Sequence, residues 1–215
     1  GPKGIKEVIN IQLKHSKSYV KYKIIFHELN STESELIFED EKVKVYTIPL
    51  NHRVYTNGFL FKEKEKSRKI NISAVKKFKE IDICDYNNLK AGKDFKLDSG
   101  DVIENSELTY NPEKPLSYAY CSDTSYKPTI IEMIEGADLL YHESTFLTDK
   151  EDLASKTGHS TAKQAATIAK KANVKKLVLG HYSSRYKEVS LFKKEAQEVF
   201  KNVSLAETGR VFSSK

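Results

Sequence analysis

Cysteine is scarce in this sequence. Its 215 residues include only Cys84 and Cys121. They form no CxxC or CxxH spacing, which points to reduced thiols in a cytoplasmic protein rather than a disulfide framework. Long apolar runs are also missing. No stretch approaches the roughly 20 residues that a bilayer-spanning helix needs. The opening Gly1-Pro2-Lys3-Gly4 has no apolar core of a secretory signal. No internal repeat, no low-complexity tract and no compact ligand motif such as HExxH stands out. With 39% hydrophobic and 31% charged residues, the balance is that of a globular chain. The length suits one large domain or two small ones and can bury a core without disulfides.

Charge is unevenly placed. The formal net charge is +6. Residues 62–96 hold ten Lys and one Arg against six acidic side chains, so this segment alone carries +5. A solvated lysine-rich loop is one reading. The other is a basic arm that follows a phosphate backbone. The segment has little clean periodicity beyond one short predicted helix, Ser73–Lys79, and reads as an excursion from the main fold.

Outside it, periodicity predicts regular elements. Ile5, Val8, Ile9 and Leu13 recur at helical spacing within Lys3–Lys14. Tyr22–His27, Leu36–Phe38, Val43–Pro49 and Asn57–Lys62 read as strands, with a hairpin turn at "FEDEKV". In the second half, strands are predicted at Ser117–Cys121, Asp138–Tyr141, Lys176–Leu179 and near Ser204–Phe212. Helices are predicted at Thr129–Ile134, after Thr161, and around Phe192, Ala196, Val199 and Phe200. Thr161 and Gln164 have capping-box spacing. The small-residue face of Ala162, Ala165, Ala166, Ile168, Ala169 and Ala172 can approach a sheet closely. This alternation predicts an α/β layered fold.

Three predicted strands end on polar residues: Asp123, His142-Glu143 and His181. Ligands of open α/β sheets bind beyond such carboxyl ends. His52 follows a fourth strand. His15 and His27 read as structural. His52, His142, His159 and His181 each lie at an element boundary, and any one alone is as well explained by structure. Together with Asp123 they form a His/carboxylate set suited to zinc, and two metals sharing a carboxylate would suit phosphodiester hydrolysis.

The stretches "YAYCSDT", "LLYHESTF", "TGHSTAKQAATIAKKA" and "LVLGHYSSRY" resemble consecutive signatures of the ribonuclease Z family, tRNA 3′-processing endonucleases of metallo-β-lactamase fold. "PLNHRVYTNGFLF" resembles the family's earlier PxxH…GY segment, with Phe59 where Tyr is usual. "LKAGKDFKLDSGDVI" resembles another family stretch. The resemblance implies an αββα sandwich. It implies His52 as a ligand of one zinc, Asp123 as the bridge and His181 as a ligand of the other. His159 would protonate the leaving 3′ oxygen, Glu143 would support the site, and Ser183 and Arg185 would face the acceptor end of the RNA. It also implies precursor tRNA as substrate, two zinc ions per complete subunit, a homodimer, and a protruding tRNA-gripping arm over 62–100 inserted in a domain spanning 1–215. The local "EIDICDYNN" lacks the GxPxGP turn common in such arms, which leaves the arm's shape open.

The family's HxHxDH metal motif is absent from these residues. The chain therefore resembles the C-terminal two thirds of a ribonuclease Z, an N-terminally incomplete sandwich. With three metal ligands present, the expectation is weak zinc binding and little or no cleavage by the 215 residues alone. Two other readings stand beside the first: a metallo-β-lactamase-fold phosphodiesterase acting on small esters, and an inactive RNA-binding fragment.

Overall fold

The computed structural model describes residues 1–213 and divides into two compact units: Gly1–Lys62 together with the chain from Leu116 onward, and Glu63–Pro115.

The first unit is built on one seven-stranded sheet. Its strands are β1 (Leu36–Glu39), β2 (Val43–Pro49), β3 (Asn57–Glu63), β4 (Ser117–Cys121), β5 (Leu139–Glu143), β6 (Leu177–Gly180) and β7 (Val203–Leu205), and they lie side by side in chain order. β1 and β2 form the predicted antiparallel hairpin. The Asp40 carboxylate closes its turn by accepting from the backbone N–H of Lys42 and Val43, both at 2.7 Å. β3 and β4 are antiparallel, whereas β4, β5, β6 and β7 run parallel.

Parallel neighbours need crossovers. Here they contain α2 (Ile130–Met133), α3 (Glu151–Thr157), α4 (Ala162–Lys171) and α5 (Ser190–Gln197). α4 starts where the sequence predicted. Thr161 Oγ1 accepts from Gln164 N at 3.1 Å, and Gln164 Oε1 accepts from Thr161 N at 3.0 Å. Its alanine face, Ala162, Ala165, Ala166 and Ala169, is wholly buried and lets the helix lie close on β5 and β6. Ala119, Cys121, Leu140, Leu177 and Leu179 meet that face from the sheet, with Ile168, Phe192 and Ala196 beside them. Tyr118, Tyr120 and Tyr141 alternate to the opposite face, where Tyr120 stacks on Tyr141 with centroids 4.9 Å apart.

The terminal segments depart from the sequence reading. α1 (Ile5–His15) forms, with the Glu28 carboxylate accepting from the N–H of Gly4 and Lys6 at its start. The strand predicted at Tyr22–His27 does not form. Its composition fits a pleated surface, but no neighbouring strand offers a ladder, and Tyr22 and Ile25 stay exposed. The strand predicted to run to Phe212 stops at Leu205. Gly209, at φ 79°, turns the chain there, with Arg210 N donating to Glu207 O. The helix α3 was absent from the sequence reading.

The second unit, Glu63–Pro115, is built from very short pieces. Lys69–Ile70 pairs with Thr109–Tyr110, and Phe95–Lys96 with Val102–Ile103. One-turn helices lie at Ile72–Val75, Tyr86–Lys90 and Asn105–Leu108. Val75, Ile81, Leu89 and Leu108 form its buried core. Buried Asn105 ties the loops, its Nδ2 donating to Leu89 O and Lys93 O at 2.8 Å each. Two-residue strands leave no periodicity to read, which is why the sequence yielded only one helix here. Lys76, Lys77, Lys79, Lys90, Lys93 and Lys96 are exposed.

Candidate active site

Three strand ends and one helix end supply the polar cluster. Asp123 lies two residues beyond β4 and His181 immediately beyond β6. Both adopt left-handed backbone, φ 59° and 60°. For a residue with a Cβ this costs about 1–2 kcal/mol each, and such strain concentrates where a side chain must be aimed. Glu143 is the last residue of β5. His159 follows Gly158, the left-handed C-cap of α3 at φ 80°, and precedes the capping box of α4. Donor atoms of Asp123, Glu143, His159 and His181 lie within 4.8 Å of one another.

Glu143 is the hub and is fully buried. Its Oε1 accepts from Thr124 N at 2.7 Å and His159 Nδ1 at 2.8 Å. Its Oε2 accepts from Thr145 Oγ1 at 2.6 Å, Ser160 N at 3.1 Å and Thr145 N at 3.2 Å. Five donors converge on one carboxylate, which leaves it no free position to bind anything else. Glu143 therefore holds the other groups in place.

The hydrogen bonds assign the histidine tautomers. His52 Nδ1 lies 2.9 Å from Gly158 O, a carbonyl that can only accept, so the proton is on Nδ1. His159 Nδ1 donates to Glu143 in the same way. Each therefore keeps Nε2 free for a ligand or a transferable proton, the usual device for fixing a functional imidazole. The rings of His52 and His159 are 5.2 Å apart between centroids, as are those of His159 and His181. Gly158 is required on two counts: its positive φ, and the 2.6 Å at which a Cβ would meet His52 Nδ1.

Within the cluster, Asp123 Oδ1 is unsatisfied. It is buried and has no hydrogen-bond partner. His181 Nε2 comes within 3.0 Å of it, an ion-pair distance without hydrogen-bond geometry. An unpartnered carboxylate oxygen beside imidazole nitrogens is a donor set that suits a borderline divalent cation such as zinc. The residues present thus fit the metal that the fold implies, through Asp123 and His181 with His52 close by.

The remaining predicted residues sit around this cluster. Ser183 is anchored by its N–H on Thr145 O at 3.0 Å, and Arg185 is exposed with a guanidinium nitrogen 3.4 Å from Ser183 Oγ. His142 does not join the cluster. It pairs with Cys121 and Leu179 across the sheet, so strand alternation turns it into the core. Its Nδ1 donates to Glu143 O at 2.7 Å, and its buried Nε2 has no partner. Burial lowers its pKa from the usual 6.5, against a smaller upward pull from Glu143. Burial likewise pushes the Cys121 thiol up to about 12. Thr124, Thr145 and Ser160 were missed by the sequence reading. Their signal was present, since each lies within one or two residues of a named motif residue.

A β-lactamase superfamily domain model matches residues 109–182, the stretch holding Asp123, Glu143 and His159. Human tRNase Z, short form, superposes with a TM-score of 0.63 at 24% identity, covering 100% of this chain and 66% of that one. The metallo-β-lactamase fold protein YhfI from Bacillus subtilis gives 0.58 at 18% identity, covering 95% of this chain and 62% of that one. These likenesses establish the metallo-β-lactamase fold. Ribonuclease Z of Bacteroides fragilis is 42% identical over 205 residues, 95% of this chain and 67% of its own length. Ribonuclease Z of Cytophaga hutchinsonii is 44% identical over 213 residues, 99% of this chain and 67% of its own. The chain thus spans about two thirds of these relatives, and it belongs to the ribonuclease Z family.

Proposed function

We propose that this centre serves an endoribonuclease that removes the 3′ trailer from precursor tRNA and leaves a tRNA 3′-hydroxyl. The observation that carries the proposal is the convergence of Asp123, His159 and His181 around Glu143, in a member of the ribonuclease Z family. Asp123 and His181 would hold the metal, with His52 completing its surroundings and zinc the ion that the donor types favour. When bound, it supplies Lewis acidity at the phosphoryl group and activates water for attack on phosphorus.

The chain's own residues do the rest. His159, fixed through Nδ1 by Glu143, presents Nε2 to the scissile bond. As P–O3′ breaks, the imidazolium form of His159 gives its Nε2 proton to the leaving 3′ oxygen, while the attacking water loses a proton to solvent and its oxygen remains on the trailer's 5′ phosphate. Glu143 faces the imidazolium and holds its orientation. Arg185, beside Ser183, offers a planar fork to phosphate oxygens of the acceptor end. The exposed lysines of 63–115 supply a sequence-independent grip on the tRNA backbone, which favours a macromolecular substrate over a small ester. The assembly we expect is a cytoplasmic homodimer, on the strength of the family resemblance and of two free cysteines. Among the described residues no helix is long and apolar enough to cross a membrane.

A catalytic zinc wants three protein ligands and water. With Glu143 saturated, two ions would share Asp123, one with His52 and the other with His181, so each would find two protein ligands among these residues and should bind weakly. Incubation of the native protein with a trailer-bearing precursor tRNA tests the function. The expected product is trailer-free tRNA ending in a 3′-hydroxyl, abolished by chelator and restored by divalent metal. Intact precursor at every metal concentration contradicts the proposal.

A further inference from the structure

Thr145 lies between Glu143 and His181, is 7% exposed, and has only one hydroxyl hydrogen. Its Oγ1 is 2.6 Å from Glu143 Oε2 and 2.8 Å from His181 Nδ1. The carboxylate oxygen already accepts two backbone N–H groups and can only accept again. The hydroxyl hydrogen therefore points to Glu143, and the oxygen must accept from His181 Nδ1–H. The result is one directed chain: His181 Nδ1–H to Thr145 Oγ1, Thr145 Oγ1–H to Glu143 Oε2, and His159 Nδ1–H to Glu143 Oε1.

The far side of His181 makes this consequential. With its proton on Nδ1, Nε2 is a bare lone pair, 3.0 Å from Asp123 Oδ1, itself buried without a hydrogen-bond partner. Two electron-rich atoms then face each other with no proton between them, and a cation reconciles them. In the other tautomer an Nε2–H group would lie 3.0 Å from Asp123 Oδ1, and a turn of the imidazole into hydrogen-bond geometry would occupy both donor atoms. Both arrangements put His181 and Asp123 side by side. Only one leaves them open as ligands.

We propose that Thr145 is a positioning residue that selects the ligand tautomer of His181 and keeps the His181–Asp123 pair open to a divalent metal. This rests on the proposed function only for the identity of what enters between them. Thr145→Val removes the hydroxyl at nearly unchanged volume, and Thr145→Ser keeps it. Thr145→Ala is a second hydroxyl-free variant should the valine perturb packing.

Long-range proton–nitrogen correlation spectra of the histidine rings read the tautomer without metal. Zinc competition against a chromophoric chelator, on the same samples, reads the consequence. Wild type and Thr145→Ser should carry the His181 proton on Nδ1. Thr145→Val and Thr145→Ala should move it to Nε2 and weaken zinc binding about 10- to 100-fold, as removal of a ligand's hydrogen-bond partner does. A hydroxyl-free variant that keeps the Nδ1–H form, or wild-type zinc affinity, overturns the assignment. If His181 follows Thr145 as expected but wild type takes up no divalent ion, the assignment holds and the metal part of the proposed function falls.

Discussion

The cluster at the ends of β4, β5 and β6 and the lysine-bearing unit Glu63–Pro115 carry function in opposite ways. In the cluster every polar atom has an assigned task. Glu143 accepts five hydrogen bonds, three histidines have their tautomers set, and one oxygen of Asp123 is left without a partner. In the second unit a four-residue core and Asn105 hold short pieces together, and the function we assign lies in a sum of exposed charge. A site made of positions should respond steeply to single atoms. A surface made of charge should respond gradually and through salt.

The largest expected effect separates chemistry from structure within the cluster. His159→Ala should lower cleavage of precursor tRNA by about 10²- to 10⁴-fold, the usual contribution of a positioned acid, with little change in thermal stability. A comparable loss from any one lysine of 63–115 would erase the contrast. Glu143→Gln comes next. A buried amide cannot accept at both ends, so at least one N–H among Thr124, Thr145 and Ser160 or the His159 ring loses its acceptor. The expected cost is about 2–4 kcal/mol, a fall in Tm of roughly 5–15 °C for a chain of this size, read by calorimetry. An unchanged Tm would mean that Glu143 is no hub.

Gly158→Ala should act more mildly and locally. The strained φ costs about 1–2 kcal/mol, and the methyl group displaces His52 from the carbonyl that orients it. Cleavage should drop while the lysine-driven affinity for tRNA stays constant. On the other side of the comparison, Lys76, Lys77 and Lys79 changed together to Gln should weaken tRNA binding. The slope of log affinity against log salt should become shallower by up to about 0.7–0.9 for each phosphate that is no longer neutralised. An unchanged slope would remove tRNA gripping from this unit. The smallest effect concerns His142. Its folded pKa lies below the unfolded 6.5, so the unfolded chain binds the proton more readily. Stability should be complete above about pH 6.5 and decline as pH falls below it. His142→Gln should flatten that decline in denaturant titrations, and an equal decline in the variant would dismiss the burial account.

The same contrast explains what could be read from the sequence. Strands β2 and β4, the capping box at Thr161 and the alanine face of α4 were legible because period and cap chemistry are local signals. That Asp123 and His181 would lie together was legible because strand ends in a parallel sheet converge whatever their separation in sequence, whereas His159 reaches them from the turn between two helices. The hub role of Glu143 and the tautomer of His181 were not. They depend on which oxygen faces which nitrogen, and spacing carries no such information. His142 was misplaced for a simpler reason: it and Glu143 are adjacent on one strand, so only one of them can reach the site. The strand expected at Tyr22–His27 had the right composition and no partner to pair with. The second unit was opaque because none of its elements is long enough to repeat a period.

Zinc affinity of wild type against Asp123→Asn, by competition with a chelator, bears most directly on the account. The amide keeps the shape of Asp123 but removes its charge and puts an NH₂ in place of one of the two oxygens. Affinity should weaken at least about tenfold, as for loss of a ligand rather than of a neighbour, with cleavage abolished and Tm nearly unchanged. Equal zinc affinity in the two proteins would show that Asp123 is not a ligand and would contradict the assignment of this centre.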